Sequence, residues 1–454
     1  MQAARDTFES PADSGLPLVG AKVLLSGFTG EGAALAIDAL AVHGLKVTSF
    51  STSAEAVLVP PNAPESVLAE ARKRGRRVVR FEELGGDRAQ ATGAFEVTEQ
   101  AVRVLDVTLP RAAERDTAAP SLELFAHLCL DGTFLRTART VALAAREGVP
   151  CALEGETAAA KTTAVLWLAA LLGQGVVRVN LHGQSDTGEL VGRFVPATTG
   201  PEGGRAHGQA RGETRAQWRF AEGHLPRAMR EGQWLLLDEV NLAEPQVLER
   251  LNSALESPPT LVLSEHEGLR FGAGGEVPVA RNFRVFATMN PAEYAGRSML
   301  SPAFRDRFGL WAFVELPGEA EVRAMLRALV HGEHPEFAYA GRLWRAPASA
   351  PFYGQLAHVP GVDELFAAFA SFHASVSAAT GPGAEVGRTR RERYVFTRRA
   401  LLTALRLFAA SAPHAADPRA ALREALEQVY VERVQPGADR QAVRAALRAV
   451  GLGR

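Results

Sequence analysis

LEGETAAAKTT, residues 153–163, decides how the rest of the chain is read. The pattern it approaches is a Gly, four residues, a second Gly, a Lys and then a Ser or Thr, set between a strand and a helix. Gly155, Lys161 and Thr162 meet it, and Ala160 stands where the second Gly is usual. The apolar CALEG before the turn reads as a strand, and AVLWLAALLG from Ala164 reads as a buried helix behind it. In that setting the backbone of Gly155, Glu156, Thr157, Ala158, Ala159, Ala160, Lys161, Thr162 and Thr163 would cradle phosphates at a helix N-terminus. Lys161 is expected to reach the β- and γ-phosphates of a nucleotide, and Thr162 to hold Mg2+. Alone, the match is weak, and an Ala-rich turn before a helix is the plain alternative.

A second stretch strengthens it. WLLLDEVNLAEPQVLERLNSALE, residues 234–256, runs apolar and then ends its strand in Asp238 and Glu239. Two carboxylates closing a buried strand are costly unless they face a site. Asp238 is expected in the Mg2+ shell, and Glu239 is expected to orient and activate an attacking water.

The totals bound what surrounds these motifs. At 454 residues the chain is too long for one core, so two to four domains are expected. The formal net charge of −1 gives no global field toward nucleic acid or an anionic membrane. Two cysteines, Cys129 and Cys151, exclude a disulfide scaffold and fit a reducing cytoplasm. The polar N-terminus shows no secretory signal, and the longest apolar run is about half a membrane span. A cytoplasmic protein without membrane contact is therefore expected.

Five segments are expected along the chain: a disordered arm at 1–16, a small α/β domain at 17–86, a linker with a hairpin pattern at 87–119, an α/β domain at 120–330, and a connector with a helical lid at 331–454. In the first α/β domain, KVLLSG, KVTSF, AVLVP and RVVRF read as strands. EGAALAIDALAVHG and PESVLAEARKRG read as helices, which gives β-α-β-β-α-β. In the second, CALEG, VVRVNL, WLLLDEV, FRVFATMN and WAFVEL alternate with helical patterns, as in a parallel sheet covered on both faces. Residues 360–454 are rich in Ala, Leu and Arg at helical spacing. No element is assigned to 331–359.

Four ordered blocks now carry a resemblance. LEGETAAAKTT, VNLHGQSDTGELVGRFVP, WRFAEGHLPRAMREGQWLLLDEVNLAEPQVLERLNSALE and FRVFATMNPAEYAGRSMLSPAFRDRF resemble the AAA+ ATPases of the midasin and dynein-related group, close to the MoxR family. The resemblance spans roughly 150–310, and it implies a P-loop AAA+ fold using ATP and Mg2+. It implies that Asn290 is the sensor-1 residue placing the water, where a turn-forming Asn before Pro291 is the alternative. It also implies that Arg307, with Arg305 as the nearby candidate, is the arginine finger inserted into a neighbouring subunit; a surface arginine pair is the alternative. DTGELVGRF and the sequence after it resemble a helix-2 insert, whose tip at 198–214 would project toward a ring's pore. FTRRALL resembles the sensor-2 helix, with Arg399 the better match and Arg398 second. Ala160 fits an active site, because minichromosome maintenance helicases carry Ala there too, and the strain of Ala at positive φ is about 1–2 kcal/mol.

Residues 20–85 resemble a BRCT domain. Ser26 and Gly27 match the phosphate-holding Ser/Thr-Gly, but Val67 stands at the Lys position and the usual Trp is absent. A protein-docking module is therefore favoured over phosphopeptide recognition. An unrelated small α/β domain is the alternative. The combined expectation is a homo-oligomeric ring, a hexamer, that hydrolyses ATP to remodel a protein partner. The resemblance makes a partner with a von Willebrand A-type domain one candidate. Two alternatives stay open: a nucleic-acid motor or DNA-repair ATPase, given the locally basic RTRRERYVFTRR, and a nucleotide-binding scaffold without turnover.

Overall fold

The computed structural model describes residues 22–25, 46–47, 56–59, 73–74, 77–80, 91–196, 218–291, 299–340, 342–380, 386–387 and 394–453. The chain divides into two compact units. One comprises residues 1–94 with 335–347, and the other 95–334 with 348–454.

Among the described residues, the first unit holds two small sheets. Strands β1 (Lys22–Leu25), β2 (Lys46–Val47), β3 (Ala56–Val59) and β4 (Arg77–Arg80) lie in the order β2-β1-β3-β4, all parallel. These strands fall where the sequence pattern places them. β3 is buried along its whole length, as a central parallel strand of AVLV should be. The expected helices at 31–44 and 64–75, and Ser26, Gly27 and Val67, lie outside the described residues, save 73–74. A short strand β5 (Thr92–Gly93) belongs to the second sheet of this unit.

In the second unit, β6 (Phe95–Val97), β7 (Ala101–Val104) and β8 (Val107–Pro110) form an antiparallel meander. The sequence pattern there predicts a hairpin. A second turn instead falls at Leu105, whose φ is +52°, a conformation for which a Leu gives no sequence signal. Helix α1 (Gly132–Glu147) follows, capped by Asp131, whose Oδ1 accepts from Phe134 N–H at 2.8 Å.

The five strands β9 (Cys151–Gly155), β10 (Val176–Asn180), β13 (Trp234–Asp238), β16 (Arg284–Met289) and β17 (Leu310–Val314) build one parallel sheet. Its order is β10-β13-β16-β9-β17. Helices α2 (Lys161–Leu172), α3 (Thr187–Leu190) and α4 (His224–Glu231) occupy the first two crossovers. Between α3 and α4, β11 (Gly192–Pro196) and β12 (Trp218–Glu222) pair as an antiparallel hairpin. The expected tip at 198–214 lies outside the described residues. After β13 come α5 (Pro245–Glu249) and the antiparallel pair β14 (Leu261–Leu263) and β15 (Leu269–Phe271). The short α6 (Pro302–Arg305) precedes β17, and α7 (Glu319–His331) follows it.

Residues 331–359, unassigned from sequence, include β18 (Glu336–Tyr339) and β19 (Arg342–Arg345), which pair antiparallel in the first unit and join β5. After them, the described residues form the helices α8 (Val362–Thr380), α9 (Arg398–Ser411), α10 (Pro418–Leu426) and α11 (Ala438–Ala449). Their core is aromatic, with Phe366, Phe369, Phe372, Phe408 and Tyr430 fully buried.

Two details place the site. α2 is apolar nearly all round and buried, with Trp167 edge-on to Phe134 at 5.3 Å and to Phe95 at 5.6 Å. Such a helix has no freedom to slide, so its first turn is a fixed platform. The register pairs Asn180 with Asp238, Met289 with Glu154 and Val314 with Gly155, so the strands' carboxyl ends form one rim. β9 leads to β10 on one side while β16 leads to β17 on the other, so this rim holds the sheet's topological switch point, where open α/β sheets bind ligands.

Candidate active site

The loop from Gly155 to Ala160 links β9 to α2 at this rim. Gly155 is required there, because a Cβ on it would lie 2.2 Å from the Val314 carbonyl oxygen of the paired strand. Two alanines of the loop take left-handed conformations, Ala158 at φ +62° and Ala160 at φ +69°. Ala160 directly precedes the helix and offers no side-chain cap. The first turn of α2 thus presents the positive end of a buried helix at the rim.

Lys161 is buried and folded over its own loop. Its Nζ donates to the carbonyls of Gly155 and Glu156, each at 2.7 Å, and to Asn290 Oδ1 at 2.9 Å. Asn290 in turn donates from Nδ2 to Glu239 Oε1 at 2.7 Å. One amide therefore bridges the lysine and the glutamate, its oxygen toward the cation and its nitrogen toward the carboxylate. Asn241 Nδ2 donates to the Asn290 carbonyl at 2.8 Å and fixes the backbone beneath it. Glu239 sits at φ +55°, a strained conformation that turns the chain sharply after Asp238.

Asp238 joins three elements. Its Oδ1 accepts from Thr162 Oγ1 at 2.7 Å and from the Thr288 hydroxyl, and its Oδ2 accepts from Arg178 Nε at 2.8 Å. The structure thus brings Lys161, Thr162, Asp238, Glu239 and Asn290 into one cluster. Thr163 follows Thr162 in the first turn of α2, half-buried. Arg178, Thr288 and Asn241 were not singled out from the sequence. Thr288 could have been, since it lies two residues before Asn290 and so on the same face of β16. Arg178 carried no such signal, because only the strand register brings it to Asp238.

The arginines separate. Arg399 lines a cavity of about 310 Å³ together with Thr157 of the loop, Thr397, Thr403 and Arg433. Arg398 is turned away from it, into an ion pair with Asp131 at 3.0 Å, with side chains 8% and 1% exposed. Arg307 donates from Nη1 to the Ala303 carbonyl at 2.7 Å and lies 3.8 Å from Glu256. Arg305 stacks over Trp311 at 4.5 Å and lies 4.0 Å from Glu154, whose carboxylate also accepts from Trp311 Nε1 at 3.1 Å.

Cys151 lies on β9 close to the loop, but burial pushes its thiol up to about 12, so it is protonated core rather than a nucleophile. Among the described residues, no group of three or more His, Cys, Asp or Glu side chains could hold a metal ion alone. No helix among them is long and apolar enough to cross a membrane.

The parallel sheet, with this loop at its switch point and a helical segment following, is the AAA+ ATPase fold. Residues 150–308 match the family model described as the AAA domain of the dynein-related subfamily. Midasin of Dictyostelium discoideum is 34% identical over 160 residues, which is 35% of this chain and 2% of that one. Midasin of Giardia intestinalis is 33% identical over 197 residues, 38% of this chain and 4% of its own length. Protein NorQ of Paracoccus denitrificans is 30% identical over 165 residues, 36% of this chain and 52% of NorQ. The chain therefore spans a small fraction of the midasins and about half of NorQ.

Proposed function

We propose that the chain binds Mg2+ and ATP at this rim, hydrolyses ATP, and uses the cycle to remodel a protein partner as a subunit of a ring. The observation that carries the reading is the Lys161–Asn290–Glu239 bridge beside the Thr162–Asp238 pair. It joins a cation for phosphate, a base for water and an oxygen pair for a metal.

The oxygen donors fit a hard cation. A carboxylate and a hydroxyl 2.7 Å apart are the protein ligands that Mg2+ accepts beside phosphate and water. Thr162 and Asp238 would hold the metal, which when bound would supply charge neutralisation for the phosphates. Lys161 would move its Nζ from the loop carbonyls to the β- and γ-phosphates. The loop's N–H groups would hold the same phosphates. Glu239 would accept the proton of the attacking water while Asn290 keeps its carboxylate aimed. Arg399 would reach the nucleotide from the lid, supported by the cavity it shares with Thr157. Arg307 would serve a neighbouring subunit's site, leaving its contacts with the Ala303 carbonyl and Glu256, with Arg305 as the nearby candidate.

The remodelling, the hexamer and a partner with a von Willebrand A-type domain rest on the likeness to the midasin and MoxR group. The small N-terminal sheet is proposed as a BRCT-like docking module, supported by its four parallel strands. Binding of a fluorescent ATP analogue to wild type and to Lys161→Ala tests the site. Wild type should bind in the micromolar range or tighter, and the variant should lose at least about a hundredfold, since the ammonium carries a charge-assisted contact to phosphate. Equal affinity would remove the reading.

A further inference from the structure

The Asp238 carboxylate is saturated. Oδ1 accepts two hydroxyls, from Thr162 and Thr288, and Oδ2 accepts two guanidinium N–H groups, from Arg178 Nε and Nη2. A carboxylate offers about four acceptor sites, so every one is in use. Of the four donors, only the guanidinium pair carries charge. A cation that approaches either oxygen must therefore displace a donor.

The arginine's placement makes it the donor to leave. Asp238 is 6% exposed, so its carboxylate needs a counter-charge at all times. Arg178 is 53% exposed and lies on β10, an edge strand of the sheet. It sits two residues before Asn180, the residue in register with Asp238, and so reaches along the strand toward the rim. Its release into water needs little desolvation or repacking. Thr162, by contrast, is fixed in the first turn of the buried α2.

We propose that Arg178 occupies the cation position at Asp238 in the absence of metal, and that Mg2+ must displace it before nucleotide is held tightly. The arginine then sets the metal concentration at which the site loads. This inference rests on the reading that Asp238 belongs to the Mg2+ shell.

The test is a titration of Mg2+ against the affinity for a fluorescent ADP analogue, which avoids turnover. Wild type, Arg178→Gln, Arg178→Lys and Asp238→Asn are compared, with binding in EDTA as baseline. Arg178→Gln should lower the Mg2+ half-point about five- to tenfold, as loss of one competing charge-assisted contact implies. Its affinity in EDTA should fall, since the Asp238 carboxylate then stands without a cation near the phosphates, so each half-point is read against that variant's own EDTA baseline. Arg178→Lys, which can place only one donor on Oδ2, should lower the half-point by about two- to threefold, and it serves where the Gln variant does not fold. An unchanged or raised half-point in both Arg178 variants, with wild type still dependent on Mg2+, overturns the inference and leaves the metal reading standing. A wild-type affinity that ignores Mg2+, matched by Asp238→Asn, overturns both.

Discussion

Arg398→Met should be among the most damaging substitutions outside the cluster of Lys161, Thr162, Asp238, Glu239 and Asn290. It leaves the Asp131 carboxylate, 1% exposed, without its cation. Breaking one side of a buried ion pair costs about 3–5 kcal/mol. The cap that Asp131 gives α1 through Phe134 N–H survives in this variant, so its further loss of about 1 kcal/mol does not enter. Asp131→Asn keeps an oxygen for the cap but strands the guanidinium, whose Nε already has no acceptor. The double variant removes both charges and should recover much of the loss, so a double-mutant cycle should give a coupling of about 2–4 kcal/mol. Urea unfolding followed by calorimetry and circular dichroism measures it. The pair also anchors the first turn of α9, where Arg399 N–H is capped by Thr397 Oγ1 at 3.3 Å. Nucleotide affinity should therefore fall in each single variant and partly return in the double. A cost below about 1 kcal/mol for Arg398→Met, or a double variant as unstable as the sum of the singles, would refute the reasoning.

Ala160→Gly should stabilise the protein by roughly 0.5–1 kcal/mol: about 1–2 kcal/mol of left-handed strain is relieved, against about 0.4–1 kcal/mol of added freedom in the unfolded chain. Loss of stability in urea would mean instead that the methyl group packs. His373, whose Nδ1 shares a hydrogen bond with Tyr430 Oη at 2.7 Å, is pushed down by burial to about 4 from 6.5. The unfolded chain then takes up the proton first, so the contribution of neutral His373 is full above pH ~6.5 and fades between pH ~6.5 and ~4, by on the order of 3 kcal/mol. His373→Gln should flatten that part of the stability–pH curve, and an unaltered slope would assign the loss to other groups. Arg307→Ala should bind ATP yet lose most turnover, and mixing it with Lys161→Ala should restore some activity by placing an intact arginine against an intact loop. If subunit exchange is confirmed and mixtures stay inactive, no arginine crosses between subunits.

The turn from Gly155 to Ala160 between strand and helix, and the acidic strand end, were legible because each is a local event: an apolar strand, a turn rich in small residues, and polar groups at fixed offsets. The four N-terminal strands and the helical C-terminal segment were legible for the same reason, since burial imposes its period on the sequence. Contacts made by register were not. Arg178 reads as one basic residue in VVRVN until the pairing of Asn180 with Asp238 brings it to the carboxylate. β5 is two residues long, and its partner β19 lies far along the chain, so neither segment signals the other. The left-handed turns at Leu105 and Glu239 use residues that do not favour that conformation, and nothing local marks them. The choice between Arg398 and Arg399 is likewise tertiary: adjacent helix positions point about 100° apart, so one meets Asp131 and the other the cavity beside Thr157.

The most direct measurement is ATP turnover by Glu239→Gln beside wild type, with bound nucleotide identified after each incubation. Asn290 can still hold the new amide through its oxygen, so the proposed metal and phosphate contacts would persist without the proposed base. The account predicts that wild type releases phosphate in the presence of Mg2+, and that the variant turns over at least about a hundredfold more slowly and retains intact ATP. A variant that hydrolyses ATP at the wild-type rate, or a wild type that binds ATP without ever releasing phosphate, would contradict it.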